Sequence, residues 1–350
     1  MGSIWFCLAA FLLIGYVVLD GFDIGAGILH LWVTRNDADR RTVIHSIGPV
    51  WDGNEVWLIA AGGTLFFAFP VLYASSFSGF YLPLMMVLWL LILRGISLEF
   101  RSHVGGPIWS AIWDGAFSFS SILLAVFYGA ALGNVTRGVP LDSSGYFFEP
   151  LWTNFVPTGQ TGILDWYTIL VGVAALAALA LHGAAWLAFK TEGQLQARAF
   201  RCGSQLWWFV AALTALVTAT TFHLLPEFAS SFRQRPWGFV FPILAVTALL
   251  GMKFFLQARR DGMLFASSCT YLVGMMTSVA FTLYPDLLPA TTNPNFGLTI
   301  SNAKAADYGL RIGLIWWVIG MGLAISYTIF SYRNFAGKIS SAGAAEDESY

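Results

Sequence analysis

Charge is what this sequence has least of. Only 11% of its 350 residues are charged, against about a quarter in an ordinary soluble domain. A surface so poor in charge excludes a water-soluble globule. The 18 Lys and Arg against 19 Asp and Glu leave a net charge of −1, so there is no basic footprint for nucleic acid. Cysteine is scarce too. Cys7, Cys202 and Cys269 are odd in number and lie in or beside apolar runs, which fits neither a disulfide framework nor a zinc pattern. The five histidines, His30, His45, His103, His182 and His223, form no Cys-x-x-Cys-His attachment site. Walker, Gly-x-Ser-x-Gly and His-Glu-x-x-His motifs are absent. The segment Met1 to Phe6 has no basic stretch and no small-residue cleavage site, so its apolar run reads as a retained span. Phe6, where Ser or Thr would be needed, argues against myristoylation.

What is abundant is apolar surface. Hydrophobic residues make up 57% of the chain and aromatics 16%, with 15 Trp and 30 Phe, and the mean hydropathy is +0.69. A helix needs about 20 apolar residues to cross a bilayer. Nine stretches qualify, at 4–32, 46–71, 77–100, 111–132, 162–189, 205–225, 237–257, 262–284 and 311–332. The expected fold is an all-α polytopic membrane protein of about nine transmembrane helices, two four-helix bundles plus one additional helix. The expected division is a first four-helix unit at 1–133, an external linker at 134–161, a second unit at 162–285, a further linker and the ninth helix at 286–338, and a disordered acidic cytoplasmic tail at 339–350. Phe69-Pro70 is expected to kink or end the second span.

Basic residues set the orientation. Joints on one side, with the C-terminus, hold Arg35, Arg40 and Arg41; Arg94 and Arg101; Lys190, Arg198 and Arg201; Lys253, Arg259 and Arg260; and Arg333 and Lys338. The other side holds Arg137, Arg233, Arg235, Lys304 and Arg311. The bias places the N-terminus outside and the C-terminus in the cytoplasm.

Against this apolar background the intramembrane charges are informative, because each costs about 2.5–3.5 kcal/mol near a helix centre. The first span carries Asp20 and Asp23, three apart and so on one face, with Gly21 and Gly25 as a small-xxx-small step that admits a close neighbour. The second begins Trp51-Asp52-Gly53-Asn54-Glu55-Val56-Trp57, where Asp52 and Glu55 share a face. The third ends with Arg94, Glu99 and Arg101, and the fourth opens near Trp113-Asp114. By orientation these groups fall in the cytoplasmic half, with Arg94 as counter-ion, and the second unit has no comparable set. Two readings remain at this point: ion pairs that fix helix register, or a carboxylate relay for protons open to the cytoplasm. The same acids would suit a proton-coupled secondary transporter. A stand-alone b-type cytochrome would use His30 and His182 as axial ligands at matching depth, although both also read as packing histidines. Trp51 and Trp57 do not share a face; Trp57 faces lipid or a partner helix, or is simply an interfacial belt residue.

At these residues the sequence resembles subunit II of the cytochrome bd-type quinol oxidases. The matching pieces are Leu-Asp-Gly-Phe-Asp-Ile-Gly-Ala-Gly at 19–27, Pro-Val-Trp-Asp-Gly-Asn-Glu-Val-Trp-Leu at 49–58, Ala-Gly-Gly through Phe-Pro at 61–70, Arg94 to Arg101, Trp113-Asp114, Gly133-Asn134, Gly138-Val139-Pro140 and Leu-Tyr-Pro at 283–285. The resemblance runs over nearly the whole chain and is most specific in the first four helices. It implies a heterodimer in the bacterial or archaeal inner membrane, where the complex oxidises quinol and reduces dioxygen to water in aerobic respiration. The partner, subunit I, would carry the haems (haem b with haem d or a further haem b), and this chain would bind no haem or metal itself. Small single-helix subunits and a structural quinone occur in some members. The resemblance assigns Asp52 and Glu99 to a proton path from the cytoplasm, with Arg94 organising the cluster and Asp20, Asp23 and Glu55 beside it. Glu99 stands where the family often has Asp. Trp57 matches a residue lining a lateral oxygen entry, and Gly21, Gly25, Trp51, Asn54 and Asp114 belong to the structural motifs.

Overall fold

The computed structural model describes residues 1–104 and 106–339. The expected tail at 339–350 therefore lies, beyond Ile339, outside the described residues. Twelve α-helices make up the described chain: α1 Gly2–Val33, α2 Asp37–Ile47, α3 Trp51–Ala68, α4 Pro70–Gly79, α5 Tyr81–Phe100, α6 Pro107–Arg137, α7 Trp166–Lys190, α8 Gly193–Leu224, α9 Pro226–Gln234, α10 Val240–Ala258, α11 Asp261–Leu283 and α12 Asp307–Asn334. Eight described helices are long and apolar enough to cross a membrane, and the α3–α4 pair brings the number to nine if it is one bent span.

Local sequence explains the breaks. The second span begins at Trp51 rather than near 46, because Gly48, Pro49 and Val50 form a turn after α2. It stops at Ala68, since Pro70 has no N–H to continue the ladder, and α4 leaves α3 at 120° with Pro70 in its first turn. The second helix of the other half ends the same way. Leu225 precedes Pro226, and its φ and ψ of −125° and 72° nearly match the −133° and 64° of Phe69. Each break leads into a short helix, α4 or α9.

Helix α1 is the hub. It packs against α3, α6, α7 and α11, while α6 also packs on α5 and α7, α7 on α8, and α10 on α11. Contact between α1 and α7 depends on missing side chains. A Cβ on Gly25 would sit 2.1 Å from the Leu179 carbonyl oxygen, and one on Gly183 would sit 2.1 Å from the Gly25 carbonyl carbon. With little hydrophobic driving force between helices in lipid, such backbone proximity supplies the packing energy. Helix α12 buries only Leu310 and lies beside the first half, its Gly313 against Phe67 and its Trp317 ring near Phe11.

The two long linkers meet at one end of the bundle. Val139 N–H donates to the Pro289 carbonyl and Thr291 N–H to the Val139 carbonyl. Asp286–Leu288 (β1) and Leu298–Thr299 (β2) form a small antiparallel pair beside them. Val139, Leu141, Phe147, Leu288 and Leu298 bury a core under these loops. The short polar α2, capped by the Asn36 side chain, lies at the opposite end.

Candidate functional site

The buried charges gather around α1 in two groups at different levels. In the first, Arg94 of α5 is fully buried and grips Asp20 of α1 with two bonds, Nη1 to Oδ2 at 2.9 Å and Nη2 to Oδ1 at 2.6 Å. The planar fork matches the carboxylate and gives each ion a full partner. Glu55 of α3 stands 3.4 Å from Nη2, and its side chain is 20% exposed, so it reaches from the pair toward the surface. One turn along α1, Asp23 accepts a bond from Asn54 Nδ2 at 2.7 Å, and the same nitrogen approaches the Leu19 carbonyl at 3.2 Å. Tyr332 of α12 donates to Asn54 Oδ1 at 2.9 Å. Above Asp20, the hydroxyls of Tyr16 and Tyr128 lie 2.8 Å apart.

The second group centres on Asp114 of α6, also buried. It pairs with His30 Nε2 at 2.7 Å, Arg101 Nε at 2.6 Å and Arg40 Nη1 at 3.2 Å. Arg101 continues to Asp37 at 2.6 Å, and Arg41 closes on Asp37 at 2.7 Å. Partial burial pushes the Asp37 carboxyl up, but the bonds from Arg101 and Arg41 outweigh it and hold its pKa below the ordinary value. This group ties the end of α1, α2, the end of α5 and the start of α6 together.

The single acidic set expected from the sequence is thus divided. Asp20, Asp23, Asn54, Glu55 and Arg94 come together; Asp114 joins Arg101 and His30 instead, because its helix enters near the end of α1, beside His30. Asp52 and Glu99 are exposed. Among the described residues neither forms a hydrogen bond or ion pair with Arg94; the Asp52 carboxylate accepts from the Gly53 N–H. Trp51 packs against Gly95 of α5, and Trp57 packs on Gly15 of α1 and on the Phe11 ring at 5.8 Å. Gly21 lies against Leu179 and His182.

Several participants had no signal in the sequence. Tyr332 is one, near the end of the last helix and far in sequence from the acids it meets. At the linker end, buried Arg137 pairs with Glu149 at 2.7 Å and with Asp165, and Thr161 donates to Glu149 at 2.5 Å. Burial outweighs these partners and pushes the Glu149 carboxyl up. Asp165 also caps α7 through the Tyr167 and Thr168 N–H groups. The capping pattern Asp165-x-x-Thr168 is legible, whereas the reach from Arg137 across the linker is not.

The histidines do not make an axial pair. His182 is level with Gly21, and His30 lies nine residues further along α1, about 13 Å at the helical rise. His182 uses both ring nitrogens, on Ser268 Oγ at 2.8 Å and the Val18 carbonyl at 3.0 Å. Within the other half, an apolar cavity of about 560 Å3 runs between α7, α8, α10 and α11 and reaches Tyr16 and Tyr128.

These features define a polytopic helical membrane subunit whose buried ionisable groups pair with one another. Among the described residues no cluster of His, Cys, Asp and Glu could hold a metal. The family model for cytochrome bd terminal oxidase subunit II matches residues 1–335. The "Probable cytochrome oxidase subunit 2" of Haemophilus influenzae is 34% identical, over 96% of this chain and 94% of that one. The "Cytochrome bd-I ubiquinol oxidase subunit 2" of Escherichia coli K12 is 30% identical, with the same coverage. The bd oxidase structure from Geobacillus thermodenitrificans superposes with a TM-score of 0.71 at 17% identity, covering 95% of this chain and 98% of that one, which shows the shared fold. The chain belongs to the cytochrome bd terminal oxidase subunit II family. It is therefore a subunit of a bd-type quinol oxidase, an oxidoreductase complex, and the transporter and b-type cytochrome readings find no support.

Proposed function

We propose that this chain is the haem-free partner of a haem-bearing subunit I in the inner membrane, and that its Arg94 cluster is part of the path by which cytoplasmic protons reach the oxygen-reducing site. The observation that carries this reading is Glu55. It is partly exposed on the surface of this chain yet touches the fully buried Asp20–Arg94 pair, so one side chain leads from that surface to an intramembrane carboxylate. Intramembrane acids so placed are characteristic of proton relays. Asp52 and Glu99, both exposed at this end, collect protons at the mouth; Asp23, Asn54 and Tyr332 extend the hydrogen-bonded chain inward. The orientation is N-terminus outside and C-terminus in the cytoplasm, as the basic bias requires.

Haem b, with haem d or a second haem b in subunit I, supplies the dioxygen chemistry. His30 and His182 do not form a haem pair: His182 has both ring nitrogens engaged, and His30, about 13 Å further along α1, is held through Nε2 by Asp114. The cavity lined by Tyr16, Tyr128, Tyr167 and apolar side chains suits a hydrophobic molecule such as a structural quinone. Trp57, wedged on Gly15, would shape lateral oxygen access.

Glu55→Gln and Asp52→Asn test the route in the purified complex. Each is expected to slow quinol-driven oxygen consumption while the haem absorption spectrum is kept. Wild-type turnover in both variants would remove the route from this chain.

A further inference from the structure

The outer face of α8 and α10 carries cations that no carboxylate answers. The two helices run antiparallel there. Lys253 lies over the Trp207 and Trp208 rings at 4.9 and 4.4 Å, Leu256 packs on Gly203, and Arg259 lies over the Phe200 ring at 5.7 Å. Trp207 is fixed by its Nε1 bond to the Leu249 carbonyl at 2.7 Å. Arg201 precedes Trp208 by two turns on the same face of α8 and so stands level with Arg259. Arg201 and Arg259 are exposed and Lys253 is partly so. Among the described residues none of the three forms an ion pair; Asp261, the next acid after Arg259, holds Lys338 instead.

These groups lie at two levels. Arg201 and Arg259 mark the end of the bundle, and Lys253 stands six residues deeper, about 9 Å at the helical rise. Beyond it the surface turns aromatic and bare: Trp208 and Phe254 are each 62% exposed. Ring faces hold the Lys253 ammonium but leave it its full charge, and lipid hydrocarbon supplies no counter-ion. Arg259 ends α10 in the left-handed region, at φ 51°, a position that glycine usually fills, and the turn lays its guanidinium over α8. Two guanidinium groups, then an ammonium, then bare aromatic surface repeat the order of a phospholipid: phosphate, glycerol ester, acyl chain.

We propose that this face binds one anionic glycerophospholipid of the leaflet at this end of the bundle. Arg201 and Arg259 hold its phosphate, Lys253 meets its glycerol ester oxygens, and its acyl chains lie over Trp208 and Phe254. A zwitterionic headgroup brings its own cation to a place that already holds three, whereas an anionic one offsets them. Free phosphate can make the first of these contacts and none of the others. The inference stands apart from the proton route.

The test is native mass spectrometry of the delipidated complex, titrated with phosphatidylglycerol or phosphatidylcholine of the same chains. The wild-type complex is expected to hold one phosphatidylglycerol more tightly than any phosphatidylcholine. A basic residue near an anionic surface strengthens binding about fivefold, so Lys253→Gln with Arg259→Gln should weaken that step about 25-fold. Lys253→Arg, which keeps the charge, should leave it unchanged, as should Arg233→Gln, which removes a cation from α9 at the opposite end. Equal affinity for the two lipids would overturn the proposal, and so would wild-type binding by the double variant. Displacement of the lipid by millimolar inorganic phosphate would mark a bare anion site and overturn it too. A lipid step that appears only after deletion of residues 340–350 would give the patch to the chain's own acidic end. Loss of subunit I from the double variant would give it to the partner. Either result refutes the lipid site.

Discussion

Removing the guanidinium of Arg94 is the most informative single perturbation of this molecule. Arg94 and Asp20 are both 0% exposed and joined by two bonds. Arg94→Leu leaves Asp20 charged in a dry interior, or forces it to take up a proton. Breaking one side of a buried pair costs about 3–5 kcal/mol, and at about 1.4 kcal/mol per decade that shifts the folding equilibrium by two to three and a half powers of ten. Glu55 cannot compensate, because it carries the same sign as Asp20. The double variant Asp20→Leu with Arg94→Leu removes both ions and most of the penalty, since replacing a whole buried pair by apolar groups is often neutral. The assay is the unfolding midpoint of the purified complex in a denaturing-detergent titration, followed by oxygen consumption. Arg94→Leu is expected to lower the midpoint strongly, and the double variant to regain most of it. Neither is expected to respire normally, because the carboxylate of Asp20 is gone or locked. A midpoint unchanged by Arg94→Leu, or a fully active double variant, would refute the reasoning about this pair.

Other outcomes follow from the same geometry. Gly25→Val forces a side chain into the Leu179 carbonyl at the α1–α7 crossing and should abolish assembly on a native gel, while Gly53→Ala, which meets nothing within 4 Å, should assemble normally. The Asp37 carboxyl is held below its ordinary pKa, so its contribution to stability is complete above the unfolded-state value and is lost as pH falls through the lowered one. Asp37→Asn should therefore lower stability at neutral pH and flatten the acid limb of a thermal-stability profile, the two proteins converging as pH falls below the lowered pKa. His182→Ala should leave the reduced-minus-oxidised haem spectrum unchanged, and a lost b-type band would contradict the assignment of haem to the partner.

Alone, the sequence determined the hydrophobic spans, the rarity of charge within them, the small-residue step at Gly21 and Gly25 and the break at Phe69-Pro70. Each of these depends on residues close in the chain: helix length against bilayer thickness, the cost of burying a charge, and a proline's missing N–H. Periodicity also tells which residues share a face, as Asp20 and Asp23 do. It does not tell how far each helix is rotated about its axis against its neighbours, and that decided the partners. Rotation brought Asp20, rather than Asp52 or Glu99, onto Arg94, turned Asp114 toward His30 and Arg101, and set Tyr332 of the last helix on Asn54. It likewise placed Arg137 against Glu149 and Asp165 across a linker with no regular period. Only packing in three dimensions, led by the glycine contact of Gly25 with Gly183, sets the levels at which separate helices present their charges.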